Sequence, residues 1–535
     1  MIGFNVQQMR WNQGVLDNSW HLIMSDSLEV LLKAFHESAV VPDEEVPADV
    51  DGRLSKVIQR VHEEYHFNLP DYKIDEDDSF KKVECAFEKE FYDSLCNAKV
   101  EGGALKSIDM HYYGIARCKP VLLRSCYFDM FELILDSLKI PSKSHWHLIL
   151  GSPGIGKSWF HVFCLYVLVK ANAPFFLQRM GHSELLFNGQ TYRCKRLDNA
   201  LFTKSNIWLL YDGIQAPTEI SPTNISVMVS SLRQKTYKEY AKMCRFGVMY
   251  MPLWNYTELT RLNLLSLPMN KMSEEGLKKC YRICGGVARH IFDHFTVHKA
   301  ECVPVISGIS IGDLDLTEME DIESRSHNYY GLEVSDNYFE FKVRFLTKAI
   351  AEMVGQKLLT GRTLSQLFSE VYNDATDAVC GMILESEALK RFVSGYKVSL
   401  RSLDDNNRKK IVLPDYLHRN HFTGNTLENI VWNSGNAALW IPEHSKYPCL
   451  LLLPKEKLAV GFLFTGDDGY PVSREPLAEL IQHCHFNGFR FKLAFVLTER
   501  NYESFAKQRQ RKAGSEELFA VEDEVACPQY KVMIS

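Results

Sequence analysis
No C-x-x-C pair occurs anywhere in the chain, although it holds 14 cysteines. Scattered thiols argue against a disulfide framework and fit the reduced interior of a cell. A strong charge of one sign is also missing. The 61 Lys and Arg against 67 Asp and Glu leave a net charge of −6, which excludes a chain-wide nucleic-acid-binding surface and leaves room only for a local basic patch. Long apolar runs are lacking too. The longest, residues 159–169, is too short to cross a bilayer and suits the buried helix of an α/β domain. The first residues, Met1 to Gln8, show no basic segment followed by an apolar core, so no secretory signal is expected. Metal-ligand spacings are absent as well. Cys280 and Cys284 lie four apart on one helical face without two further ligands, and His483-Cys484-His485 has no metal-site spacing. These read as core or surface residues. The remaining 46% hydrophobic and 24% charged composition is that of globular protein, and 535 residues suggest roughly three or four domains.

What is present is one complete motif. Gly151-Ser152-Pro153-Gly154-Ile155-Gly156-Lys157-Ser158 matches the phosphate-loop pattern G-x-x-x-x-G-K-[ST] at every defined position. A short apolar run, His147-Leu148-Ile149-Leu150, precedes it and an apolar stretch of helical length follows from Trp159. Strand, glycine loop and helix form the context this motif requires. The glycines let backbone N–H groups turn toward a phosphate without a Cβ clash, and the helix N-terminus adds the positive end of its dipole. Lys157 is the expected partner of the β- and γ-phosphates and the Ser158 hydroxyl the expected Mg²⁺ ligand.

A companion follows. Ile207-Trp208-Leu209-Leu210-Tyr211-Asp212 is an apolar strand ending in a carboxylate, the element that meets the Mg²⁺ shell in phosphate-loop NTPases. The next residue is Gly213, where many such enzymes place a glutamate to orient water; Gln215 and Glu219 are nearby substitutes. Further strands are expected at residues 175–177, 226–231 and 246–253, with a hairpin at 184–197 around Asn188-Gly189. The hydroxyls ending the 226–231 run are candidate γ-phosphate sensors or a plain strand end. Ser273-Glu274-Glu275 caps a helix that stops at Gly285-Gly286. Arg289, just beyond, is a candidate to stabilise developing charge on the nucleotide. Helical spacing also marks residues 54–65 and 128–138, and residues 339–359 and 372–392 read as long amphipathic helices. Residues 43–45 read as an acidic loop, and the four carboxylates of residues 75–78 read as a solvated loop rather than a cation site. The basic run Lys507, Arg509, Arg511, Lys512 reads as a solvated face or a nucleic-acid contact.

The order of the 121–127 segment, the phosphate loop, Tyr211-Asp212-Gly213, Tyr237-Lys238-Glu239-Tyr240, Met251-Pro252-Leu253-Trp254 and Gly285-Gly286-Val287-Ala288-Arg289 resembles the phosphate-loop NTPases of the Crinkler and retrotransposon hot spot superfamily. The likeness is best over residues 120–300. A fainter one covers the C-terminal part, where that group often carries a restriction-endonuclease-like fold with an aspartate after a proline and then a Gln-x-Thr strand. Here leucines of Tyr447-Pro448-Cys449-Leu450-Leu451-Leu452-Leu453 and residues of Gly461-Phe462-Leu463-Phe464-Thr465 occupy those places. The resemblance therefore implies a degenerate, non-cleaving domain; Asp467 and Asp468 are the nearest substitute ligands, although Asp467-Asp468-Gly469 reads more naturally as a turn.

The expected architecture is α/β: an N-terminal region (1–115), a phosphate-loop NTPase domain of the AAA+/STAND type with a parallel sheet (116–300), a helical connecting domain (301–395) and a degenerate nuclease-like α/β domain (396–535). The expected cofactors are ATP or GTP and Mg²⁺. Binding is assigned to Gly151 through Ser158, metal to Ser158 and Asp212, and catalysis to Lys157, Asp212 and Arg289. Three functions compete: an NTPase driving a conformational cycle, a nucleotide-gated switch with negligible turnover, and a platform that binds protein or nucleic acid through the C-terminal fold. The chain is expected inside the cell, in nucleus or cytoplasm, with the nucleus implied by the resemblance.

Overall fold
The computed structural model describes residues 49–65, 74, 80–82, 86–108, 120–140, 145–179, 182–187, 190–194, 207–214, 224–232, 234–244, 247–265, 271–297, 329–371, 377–394, 397–404, 408–412, 417–423, 427, 430–432, 435–443, 447–465, 472–508, 510–511 and 527–534. It is a mixed α/β protein with two eight-stranded sheets.

The N-terminal elements are helix α1 (Val50–Glu64), strand β1 (Phe80–Lys82), helix α2 (Ala86–Asn97), the small antiparallel sheet of β2 (Lys99–Glu101), β3 (Ala104–Lys106) and β4 (Val121–Leu122), and helix α3 (Ser125–Leu138). Leu54, Val57 and Val61 form the buried stripe of α1, as helical spacing predicts.

The first large sheet contains β5 (His145–Leu150), followed by α4 (Lys157–Lys170), β6 (Phe175–Arg179), β7 (His182–Phe187), β8 (Gln190–Cys194), β9 (Trp208–Asp212), β10 (Ile225–Ser230), α5 (Gln234–Ala241) and β11 (Val248–Tyr250). Helices α6 (Tyr256–Leu264), α7 (Glu274–Cys284) and α8 (Ala288–Val297) come next. The strand order is β1-β8-β7-β6-β9-β10-β5-β11. The five strands β6, β9, β10, β5 and β11 pair in parallel, while β7, β8 and β1 add an antiparallel wing. Phe187 pairs with Gln190, consistent with a tight hairpin there; Asn188 and Gly189 lie outside the described residues. The chain leaves β5 for β6, returns to β10 beside β5, then crosses to β11 on the other side. Because these strands are parallel, their carboxyl ends share one edge, and the reversal of order at β5 is where open α/β sheets bind ligands.

Helix α4 is buried almost all round, from Phe160 to Leu168. An evenly apolar helix needs cover on every side. The sheet covers one side, while α1, α2 and α3 cover the other. The N-terminal helices thus complete the core over the phosphate-loop helix, a role that their sequence alone did not disclose. Phe163 meets Phe128 and Phe131 edge-on, and Phe131 stacks on Trp208 at 5.7 Å. Each such fully buried large side chain contributes roughly 1.5–3 kcal/mol.

His147 in β5 is fully enclosed, with Nε2 3.0 Å from Ser137 Oγ. Burial pushes its pKa down to about 3 from 6.5, with His145 adding a smaller push. The folded protein thus holds a neutral ring that the unfolded chain protonates below 6.5. Its stabilising effect is present above that value and is lost as pH falls toward 3, at about 1.4 kcal/mol per pH unit for one histidine. We therefore expect the urea midpoint to drop on going from about pH 7.5 to about pH 5; a flat profile would contradict the neutral burial.

Beyond α8, β12 (Tyr330–Val334) and β13 (Phe341–Phe345) form an antiparallel hairpin, followed by α9 (Lys348–Leu358), α10 (Leu364–Val371) and α11 (Asp377–Val393). The long helix expected over residues 339–359 is therefore a strand followed by a shorter helix. Residues 341–345 alternate in burial with Val343 and Phe345 inward, the period of a strand. Thr347 caps α9 by accepting from the Ile350 N–H. The second expected helix, over residues 372–392, is α11; residues 372–376 lie outside the described set.

The second sheet comprises β14 (Lys397–Ser402), β15 (Arg408–Val412), β16 (His418–Thr423), β17 (Ala438–Glu443), β18 (Cys449–Leu453), β19 (Leu458–Phe464), β21 (Arg490–Thr498) and β23 (Gln529–Ile534), in the order β15-β14-β23-β21-β19-β18-β17-β16. A two-stranded pair, β20 (Val472–Ser473) and β22 (Gln510–Arg511), lies apart. Helix α12 (Arg474–Phe486) links β20 to β21, and α13 (Glu499–Tyr502) follows β21. Strands β17, β18 and β19 run antiparallel, then β21 lies parallel to β19. The leucine run of β18 has a structural cause. Leu450 and Leu452 face the core that contains Leu477, Leu480 and Cys484 of α12. Cys449, Leu451 and Leu453 face the main core that includes α11, and both faces of a covered sheet must be apolar.

Candidate functional site
The glycine loop connects the end of β5 to the start of α4, at the edge where the parallel strands end. Gly151, Ser152 and Ile155 are buried, while Pro153, Gly154, Gly156, Lys157 and Ser158 are half-buried. Gly154 and Gly156 have φ of 82° and 99°, conformations open to glycine and strained for other residues. Close approach adds a second reason: a Cβ on Gly154 would lie 2.7 Å from Arg289 Cβ, and one on Gly156 would lie 2.7 Å from the Tyr127 hydroxyl. Gly156 is the N-cap of α4.

The lysine and both metal candidates come together. Lys157 Nζ donates to the carbonyls of Gly151 at 2.7 Å and Ser152 at 2.8 Å. Ser158 Oγ donates to Asp212 Oδ1 at 3.2 Å, across 54 residues of sequence. Asp212 ends β9, the second neighbour of β5 across β10. A hydroxyl and a carboxylate at this spacing are hard oxygen donors of the kind Mg²⁺ accepts. Ser230, at the end of the intervening β10, is buried, and its Oγ has no hydrogen-bond partner among the described residues. His161, one turn beyond Ser158, is also buried; burial pushes its pKa down, opposed in part by the nearby Asp212 carboxylate and the Val227 backbone.

Arg289 lies in the first turn of α8, and its backbone N–H reaches the Gly154 carbonyl at 3.3 Å. The glycine break before it is a close contact as well: the Trp254 N–H donates to Gly286 O at 2.9 Å. Ser273 caps α7 through the Gly276 N–H, and α7 ends at Gly285, as its sequence predicts. Gly213 has φ of 65°, so a glutamate there would be strained. The missing acid therefore goes with a backbone shape that disfavours it. Gln215, Glu219, Asp467, Asp468, Arg509 and Lys512 lie outside the described residues. Lys507 pairs with Asp404 at 2.8 Å on the surface.

A buried group behind the loop belongs to none of the motifs above. Arg124 is buried and makes a two-pronged pair with Glu258, Nε to Oε1 and Nη2 to Oε2, each at 3.0 Å. It also donates to the carbonyls of Ile155, Pro252 and Leu253, and its guanidinium lies 4.5 Å from the centre of the Trp254 ring. Glu258 simultaneously closes a capping box with Asn255 at the start of α6. One signal was available: Asn255-x-x-Glu258 has capping-box spacing, and Arg124 is a lone charge in an apolar run.

Cys280 and Cys284 are both buried on α7, and no group of three or more metal-ligating side chains occurs among the described residues. Cys484 is buried, while His483 stacks on Trp432. No helix among the described residues is long and apolar enough to cross a membrane.

The fold and this site define a mixed α/β protein whose five-stranded parallel sheet carries a glycine loop at its carboxyl edge. No protein-family profile matches the chain. Over 385 residues the chain is 24% identical to Crinkler effector protein 15 of Phytophthora infestans, covering 68% of the chain and 60% of that relative. Crinkler effector protein 16 of the same organism gives the same identity and coverage. These matches support a Crinkler-like relationship, with the chain spanning less than two thirds of the length of these relatives.

Proposed function
We propose that the chain binds a nucleoside triphosphate, ATP or GTP, with Mg²⁺ and hydrolyses it slowly to drive a conformational cycle. The observation that carries this reading is the convergence of Lys157, Ser158 and Asp212 at one loop, with Ser158 Oγ 3.2 Å from Asp212 Oδ1. Lys157 neutralises the β- and γ-phosphates; Ser158 and Asp212 hold the metal, which when bound offsets phosphate charge. Arg289, beside Gly154, is assigned to the transferring phosphoryl group. The strand order around β5 supports an AAA+/STAND-type phosphate-loop NTPase related to the Crinkler and retrotransposon hot spot superfamily.

A contiguous packed path favours a conformational readout. Helix α7 meets the segment before α9, where Thr347 Oγ1 donates to Ile283 O at 3.4 Å. Helix α9 packs on α11, and α11 packs on β19 and β21 of the second sheet. Gly213 favours slow turnover, and at its limit a switch with negligible hydrolysis. Phosphate release tests the assignment. Asp212→Asn is expected to lower it about 10- to 100-fold at limiting Mg²⁺, and unchanged release would remove the metal role from Asp212.

The second sheet is assigned to a degenerate nuclease-like domain that acts as a platform for protein or nucleic acid. Its strand β18 is buried on both faces and offers no carboxylate for phosphodiester cleavage. The full chain is expected to leave single- and double-stranded DNA and RNA intact in Mg²⁺ or Mn²⁺. Cleavage abolished by Asp467→Ala would reverse this assignment.

A further inference from the structure
Three successive carbonyls of the glycine loop are engaged from behind. Gly154 O accepts from the Arg289 N–H at 3.3 Å. Ile155 O accepts from Trp254 Nε1 at 2.7 Å and from Arg124 Nη1 at 3.3 Å. Gly156 O accepts from the Tyr127 hydroxyl at 3.0 Å and from the Phe160 N–H in the first turn of α4. In a planar trans peptide the carbonyl of one residue and the N–H of the next point in opposite directions. Fixing these three carbonyls outward therefore turns the N–H groups of Ile155, Gly156 and Lys157 to the opposite side, toward the cradle. The engaging side chains are themselves held. Arg124 is pinned by Glu258, which is fixed in turn by the capping box of α6. Trp254 follows β11 and lies against the Arg124 guanidinium. The Tyr127 ring packs against Phe160 and Phe163 of α4.

We propose that Arg124, Tyr127 and Trp254, braced by Glu258, are positioning residues that hold the loop amides preorganised for a polyphosphate chain. The proposal rests on the triphosphate-binding reading above and deepens it. Their side-chain hydrogen bonds to the loop all end on its carbonyls, so their effect on a bound phosphate passes through the loop backbone. Preorganised amides cost no reorganisation when the anion arrives, and the benefit rises with the number of phosphates seated. The Ile155 and Gly156 carbonyls each keep a second donor, Arg124 and the Phe160 N–H, so removing one outer bond weakens the hold on one peptide plane without freeing it, and the loss falls on di- and triphosphates and spares a monophosphate.

Arg124 is too buried to be altered without risk to folding, so the test uses Tyr127→Phe in the full chain, which removes one hydroxyl and keeps the ring. Trp254→Phe is the second variant. Calorimetry with ATP, ADP and AMP in Mg²⁺ is run beside thermal melts with and without nucleotide. The expected result for Tyr127→Phe is a roughly 2- to 10-fold weaker triphosphate affinity, the effect of one neutral hydrogen bond. The ligand-free melting midpoint should stay close to wild type, and the ratio of ATP to AMP affinity should fall. A purely structural role would instead lower the ligand-free midpoint and leave that ratio unchanged. If wild type binds triphosphate and both variants match it in affinity and ratio, the positioning role is overturned while the binding assignment stands. If wild type binds no triphosphate, both are overturned.

Discussion
Glu258→Ala is expected to destabilise the protein by about 3–5 kcal/mol, because it strands a buried guanidinium without its counter-charge. The Arg124 side chain is 1% exposed and that of Glu258 is 13% exposed. Truncation leaves Arg124 the carbonyls of Ile155, Pro252 and Leu253 and the faces of the Trp254 and Tyr127 rings, none of which carries a full negative charge. The capping box of α6 is lost in the same step, since Glu258 also accepts from the Asn255 N–H at 3.0 Å. Glu258→Gln keeps the shape and one acceptor, so its loss should be smaller. Urea unfolding followed by circular dichroism reads the difference as a shift in midpoint at constant slope. A loss below about 1 kcal/mol for the alanine variant would show that the backbone carbonyls alone hold the arginine.

Lys157→Ala should weaken triphosphate binding by roughly 10- to 150-fold, the effect of removing hydrogen bonds made by a charged donor. The ammonium is held against the Gly151 and Ser152 carbonyls, inside the loop it serves. The side chain need only exchange carbonyl partners for phosphate oxygens. The thermal stabilisation produced by nucleotide should shrink in proportion to the lost affinity. Equal stabilisation of mutant and wild type would remove Lys157 from the site.

The elements legible in the sequence are those with local signals. The glycine loop, the strand before it and the helix after it lie within 26 consecutive residues, from His145 to Lys170. The strand ending in Asp212, the capped start of α7 and its glycine stop are likewise short-range patterns. The Arg124–Glu258 pair was not legible because its members are 134 residues apart, and no spacing rule connects them. The helical pattern over residues 339–359 holds only in its second half, since the apolar residues of the first half suit a strand. Only the pairing of Phe341–Phe345 with Tyr330–Val334 decides the first half. The leucines of β18 stand where the resemblance would place ligands, and their position between α11 and α12 explains them as core.

The most direct test of the central claim is isothermal titration of the full chain with ATP and with GTP, each with and without Mg²⁺. Saturable binding of at least one triphosphate is expected, strengthened by Mg²⁺ and much weaker for the corresponding monophosphate. The absence of binding by either triphosphate in the presence of Mg²⁺ would contradict it.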